Sequence, residues 1–274
     1  MKFAVLGPLS LTDGNGSLLP TAPKTRQLLA LLLLHANSLV TLETCLQELW
    51  GESSPRSAVQ SVHTRVFQIR QALAGDLSGR TTEESKRILK THHQGYSLEV
   101  EKGSLDLDVL ETHLTKYRRA QSRQDDVGVS TELRAALSLW RGRTLLDIQQ
   151  GECIQAYATG MEDLRMTVLE QCIEAELRLG MHHRLLSELS TLVSRYPVHE
   201  NLHAQYMIAL YRSGRTVESL RTYHRLRKTL TEELGIEPSH RVRQLQTAVL
   251  AKSTELDVVP QDRAVLSMSL MSGR

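Results

Sequence analysis

The sequence of 274 residues is poor in aromatic side chains, in cysteine and in net charge. Only 4% of the residues are Phe, Trp or Tyr, so the core must consist largely of Leu, Val and Ala. Three cysteines in a chain of this length exclude a disulfide framework and fit a reduced, intracellular setting. Lys and Arg total 33 and Asp and Glu total 31, so the net charge is only +2.

Long apolar runs are also absent. The longest, residues 28–34, has seven residues and lies inside a helical pattern, whereas a membrane-spanning helix needs about 18. The first residues, MKFAVLGPLSLTDG, contain Gly, Pro and polar turn residues where an export signal has an apolar segment. The sequence therefore predicts a globular protein of the cytoplasm with no membrane partner.

The first hundred residues predict a small sheet, three helices and a closing hairpin. Thr41 is a candidate N-cap of the second helix, and Gly51 is placed to end it. The predicted elements are, in order, β-type runs around Gly7-Pro8, a helix from Pro23, a helix over 40–51, a helix from Pro55, a loop over 75–86 and a hairpin over 87–100. This order is typical of an α+β winged helix-turn-helix domain of the OmpR-like type, which has an extra N-terminal β-sheet.

The third predicted helix has an apolar stripe and, opposite it, a face without acidic residues. The stripe has the helical spacing of three and four residues and consists of Val59, Val62, Val66, Ile69 and Leu73. The opposite face holds Ser57, Gln60, Ser61, Thr64, Phe67, Gln68 and Gln71, with His63, Arg65 and Arg70 on its flanks. Gln and Thr can bond base edges and Phe can pack on a thymine methyl group, so this face is a candidate for reading bases in the major groove. The alternative is an ordinary solvated polar face, against which an exposed Phe67 argues.

Cations are concentrated in the segments that would face DNA. Residues 1–100 hold 10 Lys and Arg against 8 Asp and Glu, and the remaining 174 residues hold 23 of each. The clustered cations are Lys24, Arg26, Arg56, Arg65, Arg70, Lys86, Arg87 and Lys90. Contacts of this kind to phosphates would make binding depend on salt. For Arg87 and Lys90, on the predicted wing, the alternative role is solubility of the hairpin.

The second half of the chain predicts an all-helical domain with an internal repeat. Gly180 and Gly214 are 34 residues apart, and apolar positions after them recur with the same offset. Thirty-four residues is the tetratricopeptide period, and Pro197 falls where such a repeat ends. The predicted domains are a winged-helix DNA-binding domain over 1–103, a helical, tetratricopeptide-like domain over 104–252 and a flexible tail over 253–274.

These segments together resemble the Streptomyces antibiotic regulatory protein family. The resemblance rests on KFAVLGPL, PKTRQLLALLLLHAN, LWG, QIRQAL and GYSLEV in the first half. In the second half it rests on LDLDVLETHL, LSLWRG, MEDLRM, YPVHENLHAQYMIALYRSGR and EELGIEPS. It covers about residues 2–252 and implies a winged-helix domain followed by a bacterial transcriptional activation domain. The chain length suggests the small type of this family.

The resemblance implies a transcriptional activator of an antibiotic biosynthetic gene cluster. Its partners would be promoter DNA, bound as direct repeats near the −35 region by a homodimer, and RNA polymerase holoenzyme, through the sigma region at −35. Such a protein would act at the nucleoid, and no catalytic residue, cofactor or metal is implied. Two copies bound head to tail one turn apart, about 10–10.5 bp, would lie on one face of the duplex.

The resemblance also assigns residues. Lys24 and Arg26 match the basic pair at the start of the first helix, which contacts the DNA backbone. The candidates for base reading are Gln60, His63, Thr64, Arg65, Phe67 and Gln68, and those for backbone contact are Lys24, Arg26, Arg56, Arg70, Arg87 and Lys90. Relatives often have an aromatic residue near position 65, so Arg65 predicts that different bases are read here.

Two other functions are compatible with parts of the sequence. The motif His199-Glu200-Asn201-Leu202-His203 matches the H-E-x-x-H pattern of zinc proteases. No extended zincin spacing accompanies it, and His203 occupies a packing position of the repeat, so a structural role is preferred. The second alternative is an interaction scaffold in which the repeats and the winged helix both bind protein; it predicts a contiguous apolar patch.

Overall fold

The computed structural model describes residues 1–14, 16–74 and 81–257. The chain folds into two compact units, residues 1–169 and the part from residue 170 onward. The first unit contains two three-stranded antiparallel sheets, the first six helices and the larger part of the seventh. The division falls inside the long helix α7, and the domain boundary at 103/104 stays a prediction.

The first sheet is the predicted N-terminal sheet. Strands β1 (Lys2–Ala4), β2 (Ser10–Asp13) and β3 (Gly16–Ser17) pair in chain order. Phe3, Val5, Leu9 and Leu11 are buried on it. They join the leucines of α1 in one apolar core, so this sheet is part of the same core as the helices.

Three helices follow and carry the features that the sequence predicts. Helix α1 (Pro23–Leu34) begins at proline, and α2 (Leu42–Trp50) is capped by the Thr41 side chain, which accepts a hydrogen bond from the backbone N–H of Thr44. Gly51 ends α2 at φ +58°. Helix α3 (Ala58–Ala74) buries Val62, Val66, Ile69 and Leu73 as predicted. Val59 is 42% exposed, so its assignment to the stripe is wrong. The buried residue at this end of α3 is Ala58, which lies four residues before Val62 and therefore on the same face.

The predicted loop and hairpin have different boundaries in the structure. Residues 82–88 form helix α4 (Thr82–Ile88), so the loop predicted over 75–86 is wrong for its last residues, while residues 75–80 lie outside the described part. Thr81 caps this helix in a reciprocal capping box with Glu84. The wing is the hairpin of β5 (Leu89–His92) and β6 (Gly95–Leu98), and β4 (Val40–Thr41) completes its sheet in the order β4-β6-β5.

Gly95 fits where β6 passes closest to β4. A Cβ atom built on Gly95 would lie 2.0 Å from the carbonyl oxygen of Val40 and 2.8 Å from the Cα of Thr41. We expect Gly95→Ala to lower the free energy of unfolding by about 1–3 kcal/mol, because backbone must move to admit the methyl group. Urea denaturation measures this effect. The control is Gly160→Ala in helix α7, where nothing lies within 4 Å; it is expected to stabilise by about 0.5–1 kcal/mol.

The helical half begins with α5 (Asp106–Ser122), α6 (Asp126–Leu137) and α7 (Glu152–Arg178). Residues 138–151 are not helical, so the prediction of continuous helical structure over 104–252 is wrong there. This segment bonds to the N-terminal sheet, since the N–H groups of Arg141 and Leu145 donate to the carbonyls of Leu6 and Gly7. The first unit therefore includes the N-terminal sheet, the winged helix and the start of the helical half.

The second unit contains the predicted repeat. Its helices are α8 (His182–Arg195), α9 (Glu200–Arg212), α10 (Thr216–Thr229) and α11 (His240–Leu250), with a π-helical segment at Leu230–Leu234. Gly180 and Gly214 precede α8 and α10 at φ +74° and +76°. The predicted tail contains a 3-10 turn at Thr254–Leu256, and its residues 258–274 lie outside the described part. No helix in the described part of the chain is long and apolar enough to cross a membrane.

Candidate nucleic-acid interface

Helix α3 presents one continuous stripe of exposed side chains. Gln60, His63, Thr64, Phe67 and Gln71 are all exposed, and their spacing of three and four residues places them on one face. Phe67 is 57% exposed in a chain with only two phenylalanines. Since apolar side chains on the other side of α3 are buried, this face is the exposed one, as the helical spacing in the sequence predicts.

Thr64 is already bonded within its own helix. Its hydroxyl donates to the carbonyl of Gln60 at 3.0 Å. Because the hydroxyl proton is used there, Thr64 can offer a base only its oxygen as an acceptor and its methyl group. Within the described part of the chain, no hydrogen bond engages the side chains of Gln60 and His63, which keep donor and acceptor atoms for a ligand.

Gln68 joins α3 to α1 and is therefore restricted as a base reader. Its Oε1 accepts a hydrogen bond from the buried Thr25 hydroxyl at 2.6 Å and from Arg65 at 3.4 Å. A bidentate contact to adenine needs both the oxygen and the nitrogen of the amide. With Oε1 engaged, only the amide N–H groups of Gln68 remain for DNA. The structure thus places Arg65 and Gln68 beside the exposed stripe, half-buried, where Gln68 ties α3 to α1 and Arg65 bonds to Gln68 within α3.

The two candidates for backbone contact on α1 bond to the protein itself. The Lys24 ammonium donates to the carbonyl of Leu49 at the C-terminus of α2 and lies 5.2 Å from the ring centroid of Trp50. Arg26 forms an ion pair with Asp147, which also accepts the backbone N–H of Leu9. Either side chain can reach a phosphate only by giving up these contacts.

Arg70 connects helix α3 to the wing. Its guanidinium donates to the carbonyl of Leu89 at 2.7 and 3.0 Å and to the hydroxyl of Thr91 at 2.8 Å. Burial lowers the pKa of Arg70, although the group stays charged. The position of β5 relative to α3 is therefore set by this side chain.

The remaining basic candidates are exposed. Arg56 precedes α3, Arg87 lies in the last turn of α4, and Lys90 lies on β5, 3.3 Å from Glu99. The prediction that Arg87 lies on the wing is wrong, because the hairpin begins only at Leu89. A cation in the last turn of α4 is favoured by the helix dipole, so its presence does not require DNA.

Sequence reasoning missed the acidic side chains that join the winged helix to residues 104–154. Asp106 accepts the backbone N–H groups of Val5 and Leu6 at 2.8–3.0 Å, and burial raises its pKa. Glu48 of α2, 2% exposed, accepts the N–H groups of residues 151, 153 and 154 at the start of α7. A signal was present, since Glu48 lies on the same helix face as the apolar Cys45 and Leu49.

The metal alternative finds no support in the described residues. Among them no group of three His, Cys, Asp or Glu side chains is arranged to hold a metal ion. His199 lies 3.0 Å from the carboxylate of Glu170. His203 is 1% exposed, and burial, together with the nearby Arg225, lowers its pKa to about 4. The two histidines of the H-E-x-x-H motif therefore lie in different surroundings, one beside Glu170 and partly exposed, the other buried.

Comparisons with known proteins agree with the two halves of the fold. Residues 16–98 match the model of the C-terminal domain of transcriptional regulatory proteins, and residues 105–250 match the bacterial transcriptional activator domain. The regulatory protein DnrI of Streptomyces peucetius is 40% identical over 257 residues, which are 94% of this chain and 94% of DnrI. The chain belongs to the Streptomyces antibiotic regulatory protein family. It is a transcriptional regulator of the activator type and not an enzyme.

Other members and neighbours have additional length. The regulatory protein AfsR of Streptomyces griseus is 30% identical over 93% of this chain, which corresponds to 25% of AfsR. A solved structure of Mycobacterium tuberculosis EmbR, in complex with a low-affinity phosphopeptide, superposes with a TM-score of 0.84. It is 29% identical over 92% of this chain and 65% of the EmbR chain. The α+β winged helix with its N-terminal sheet and the helical activator domain are thereby confirmed as the fold class.

Proposed function

We propose that this activator binds direct repeats near the −35 region of promoters in a secondary-metabolite gene cluster and recruits RNA polymerase there. The observation that carries the proposal is the exposed, acid-free stripe of α3, with Phe67 at its centre. Apart from Val59 and Phe67, no large apolar side chain is exposed in the described residues of α3. This supports DNA rather than an apolar protein surface as the ligand of the winged helix.

The structure suggests a division of roles among the candidates. Gln60, His63, Thr64 and Phe67 would contact bases. Gln68 would fix α3, with its amide oriented by Arg65, and Lys24, Arg26 and Arg70 would fix the elements around it through the bonds described above. Arg56, Arg87 and Lys90 would then supply most of the contacts to phosphates.

Assembly on DNA would follow the direct repeats. Two copies bound head to tail, about 10–10.5 bp apart, would form a homodimer on one face of the duplex. The contact to polymerase would involve the sigma region that binds −35. Such a protein would work in the cytoplasm, on the nucleoid.

Footprinting with gel shift at two salt concentrations tests this proposal. The probe is promoter DNA from the gene cluster that surrounds the gene of this protein. We expect protection of two direct repeats one turn apart, with an affinity that falls steeply as salt rises. Equal affinity for the promoter and for unrelated DNA at both salts would contradict sequence-specific binding.

Base and phosphate contacts are distinguished by their variants. We expect Thr64→Ala and Phe67→Ala each to weaken promoter binding by about 1–3 kcal/mol while leaving non-specific binding unchanged. Arg87→Ala is expected to weaken all sequences alike and to lower the salt slope by about one. Gel-shift titrations against promoter and unrelated DNA measure both effects. Equal loss for both kinds of DNA in Thr64→Ala would refute the base-reading role.

A further inference from the structure

One face of helix α10 is exposed and strongly cationic. Val217, Arg221, His224, Arg225 and Lys228 lie on it at helical spacing, and all five are exposed. We call this surface the α10 ridge. Within it no acidic residue occurs between positions 221 and 228. Among the described residues no carboxylate lies within ion-pair distance of the two arginines, and Lys228 reaches only one, that of Glu232, at 3.9 Å.

The repeat provides an internal comparison for this charge. Helix α8 precedes α10 by 34 residues, and its equivalent positions are Ser187, Ser190, Thr191 and Ser194, which are also exposed. The equivalent face of the preceding repeat is thus exposed to solvent without any charged residue at these four positions. The cations of α10 are therefore not required by the fold of the repeat.

The local structure accounts only in part for the central arginines, because Glu218, one turn before Arg221, interacts with it electrostatically but forms its ion pair with Arg215. The negative end of the α10 dipole favours Lys228 in the last turn, but Arg221 lies in the first half of the helix. Arg221 and Arg225 are four residues apart, a spacing at which like charges destabilise a helix. An anionic partner would relieve this repulsion.

The composition of the ridge favours a protein partner over DNA. Val217 is 63% exposed and lies one turn from Arg221. Arginine next to exposed apolar surface is typical of protein interfaces, whereas phosphates offer nothing to an apolar side chain. The ridge belongs to the compact unit that begins at residue 170, and helix α3, proposed to contact bases, belongs to the other unit.

We propose that the α10 ridge is the docking surface for an acidic segment of a subunit of the transcription machinery, with carboxylates on the arginines and an apolar side chain on Val217. The inference rests on the proposed function, because it names the surface through which the DNA-bound activator contacts its protein partner. Arginine presents a planar fork that carboxylates bind with two parallel hydrogen bonds.

Transplanting α8 residues onto α10 tests the ridge. The variant Arg221→Ser/Arg225→Thr takes the residues of the neighbouring repeat, and the control Arg184→Ser/Arg195→Thr removes two exposed charges from α8. The assay is transcription from a promoter fragment with purified RNA polymerase holoenzyme. We expect the ridge variant to lose activation about tenfold or more, and its control to stay within about twofold. Gel shift and urea denaturation should show unchanged promoter binding and stability in both. Full activation by the ridge variant would overturn the inference.

A photo-crosslinker in place of Val217 identifies what lies on the ridge. Benzoylphenylalanine at this position, in the complex of activator, promoter and polymerase, is expected to crosslink to an acidic stretch of a polymerase subunit. A crosslink to DNA, or a ridge variant with weaker promoter binding and a lower salt slope, would assign the ridge to phosphates and overturn the inference. If the unaltered protein and the α8 control also fail to bind the promoter, the proposed function itself fails, and the inference with it.

Discussion

Replacing Glu48 by alanine is expected to lower the free energy of unfolding by about 3–5 kcal/mol. The carboxylate is 2% exposed and accepts the backbone N–H groups of Gly151, Cys153 and Ile154 at 2.7, 2.9 and 3.2 Å. These are donors at the start of α7, which have no partner within the helix. Alanine would leave the buried N–H of Ile154 and the partly buried N–H groups of Gly151 and Cys153 without this acceptor.

The substitution also removes the weaker of the two bonds that Gln27 of α1 makes to residue 48, while the bond to the backbone carbonyl remains. The amide of Gln27 donates to the carbonyl of Glu48 at 2.8 Å and to its carboxylate at 3.2 Å. A Cβ atom on Gly151 would lie 2.7 Å from the Glu48 carboxylate, so the backbone at 151 approaches Glu48 more closely than a side chain there would allow. The winged helix and the start of α7 are thus joined through one buried carboxylate.

Urea denaturation measures the loss, and Glu43→Ala is the matched control. Glu43 lies on the same helix but is exposed, so its replacement is expected to change stability by no more than about 0.5–1 kcal/mol. The loss of stability in the isosteric variant Glu48→Gln should lie between those of Glu48→Ala and Glu43→Ala. Glutamine keeps one acceptor oxygen, but it places an amide N–H group against backbone donors. A Glu48→Ala protein as stable as the Glu43→Ala control would contradict the role assigned to this carboxylate.

The boundaries of the elements were predictable where single residues determine them. Pro23 begins α1, Thr41 caps α2, and Gly51 adopts a positive φ to end it. Gly180 and Gly214 do the same before α8 and α10. Each signal is local, because proline, a capping hydroxyl and glycine act on the adjacent backbone.

Helix α4 was missed although its signal was present. Thr81 and Glu84 have the spacing of a capping box, and the structure shows both of its hydrogen bonds. The segment is otherwise polar and charged, without an apolar stripe, and such composition is typical of loops. Misplacing this helix moved the start of the wing and, with it, Arg87.

The candidate site was predictable in outline but not in its bonds. Helical periodicity was sufficient to place Thr64 and Phe67 on the exposed side of α3. It contained no information that Gln68 would bond to Thr25, or that Lys24 would bond to the end of α2, because these partners come from other elements. Distant contacts of this kind turn exposed candidates into side chains that support the interface.

Acid is expected to destabilise the second unit through His203. This side chain is 1% exposed, and burial, followed by the nearby Arg225, lowers its pKa from 6.5 to about 4. Because the folded form holds the proton less tightly than the unfolded chain, stability is complete above pH 6.5 and falls as the pH drops toward 4. A shift of this size corresponds to about 3 kcal/mol over that range.

The measurement is the free energy of unfolding from urea curves between pH 4 and 7.5, followed by a probe in the second unit. His203→Leu removes the titrating group from the buried position, so its curve should lose about 3 kcal/mol less on acidification than the unaltered protein. His224→Gln is the control, because it replaces a histidine of the same unit that is exposed on α10 rather than buried. Identical pH dependence in the unaltered protein and in His203→Leu would show that other groups cause the acid sensitivity.

Arg225 both opposes protonation of His203 and belongs to the α10 ridge. The variant Arg225→Thr should therefore raise the pKa of His203 and reduce the stability lost in acid. The variant His203→Leu, in contrast, should leave docking to the ridge intact.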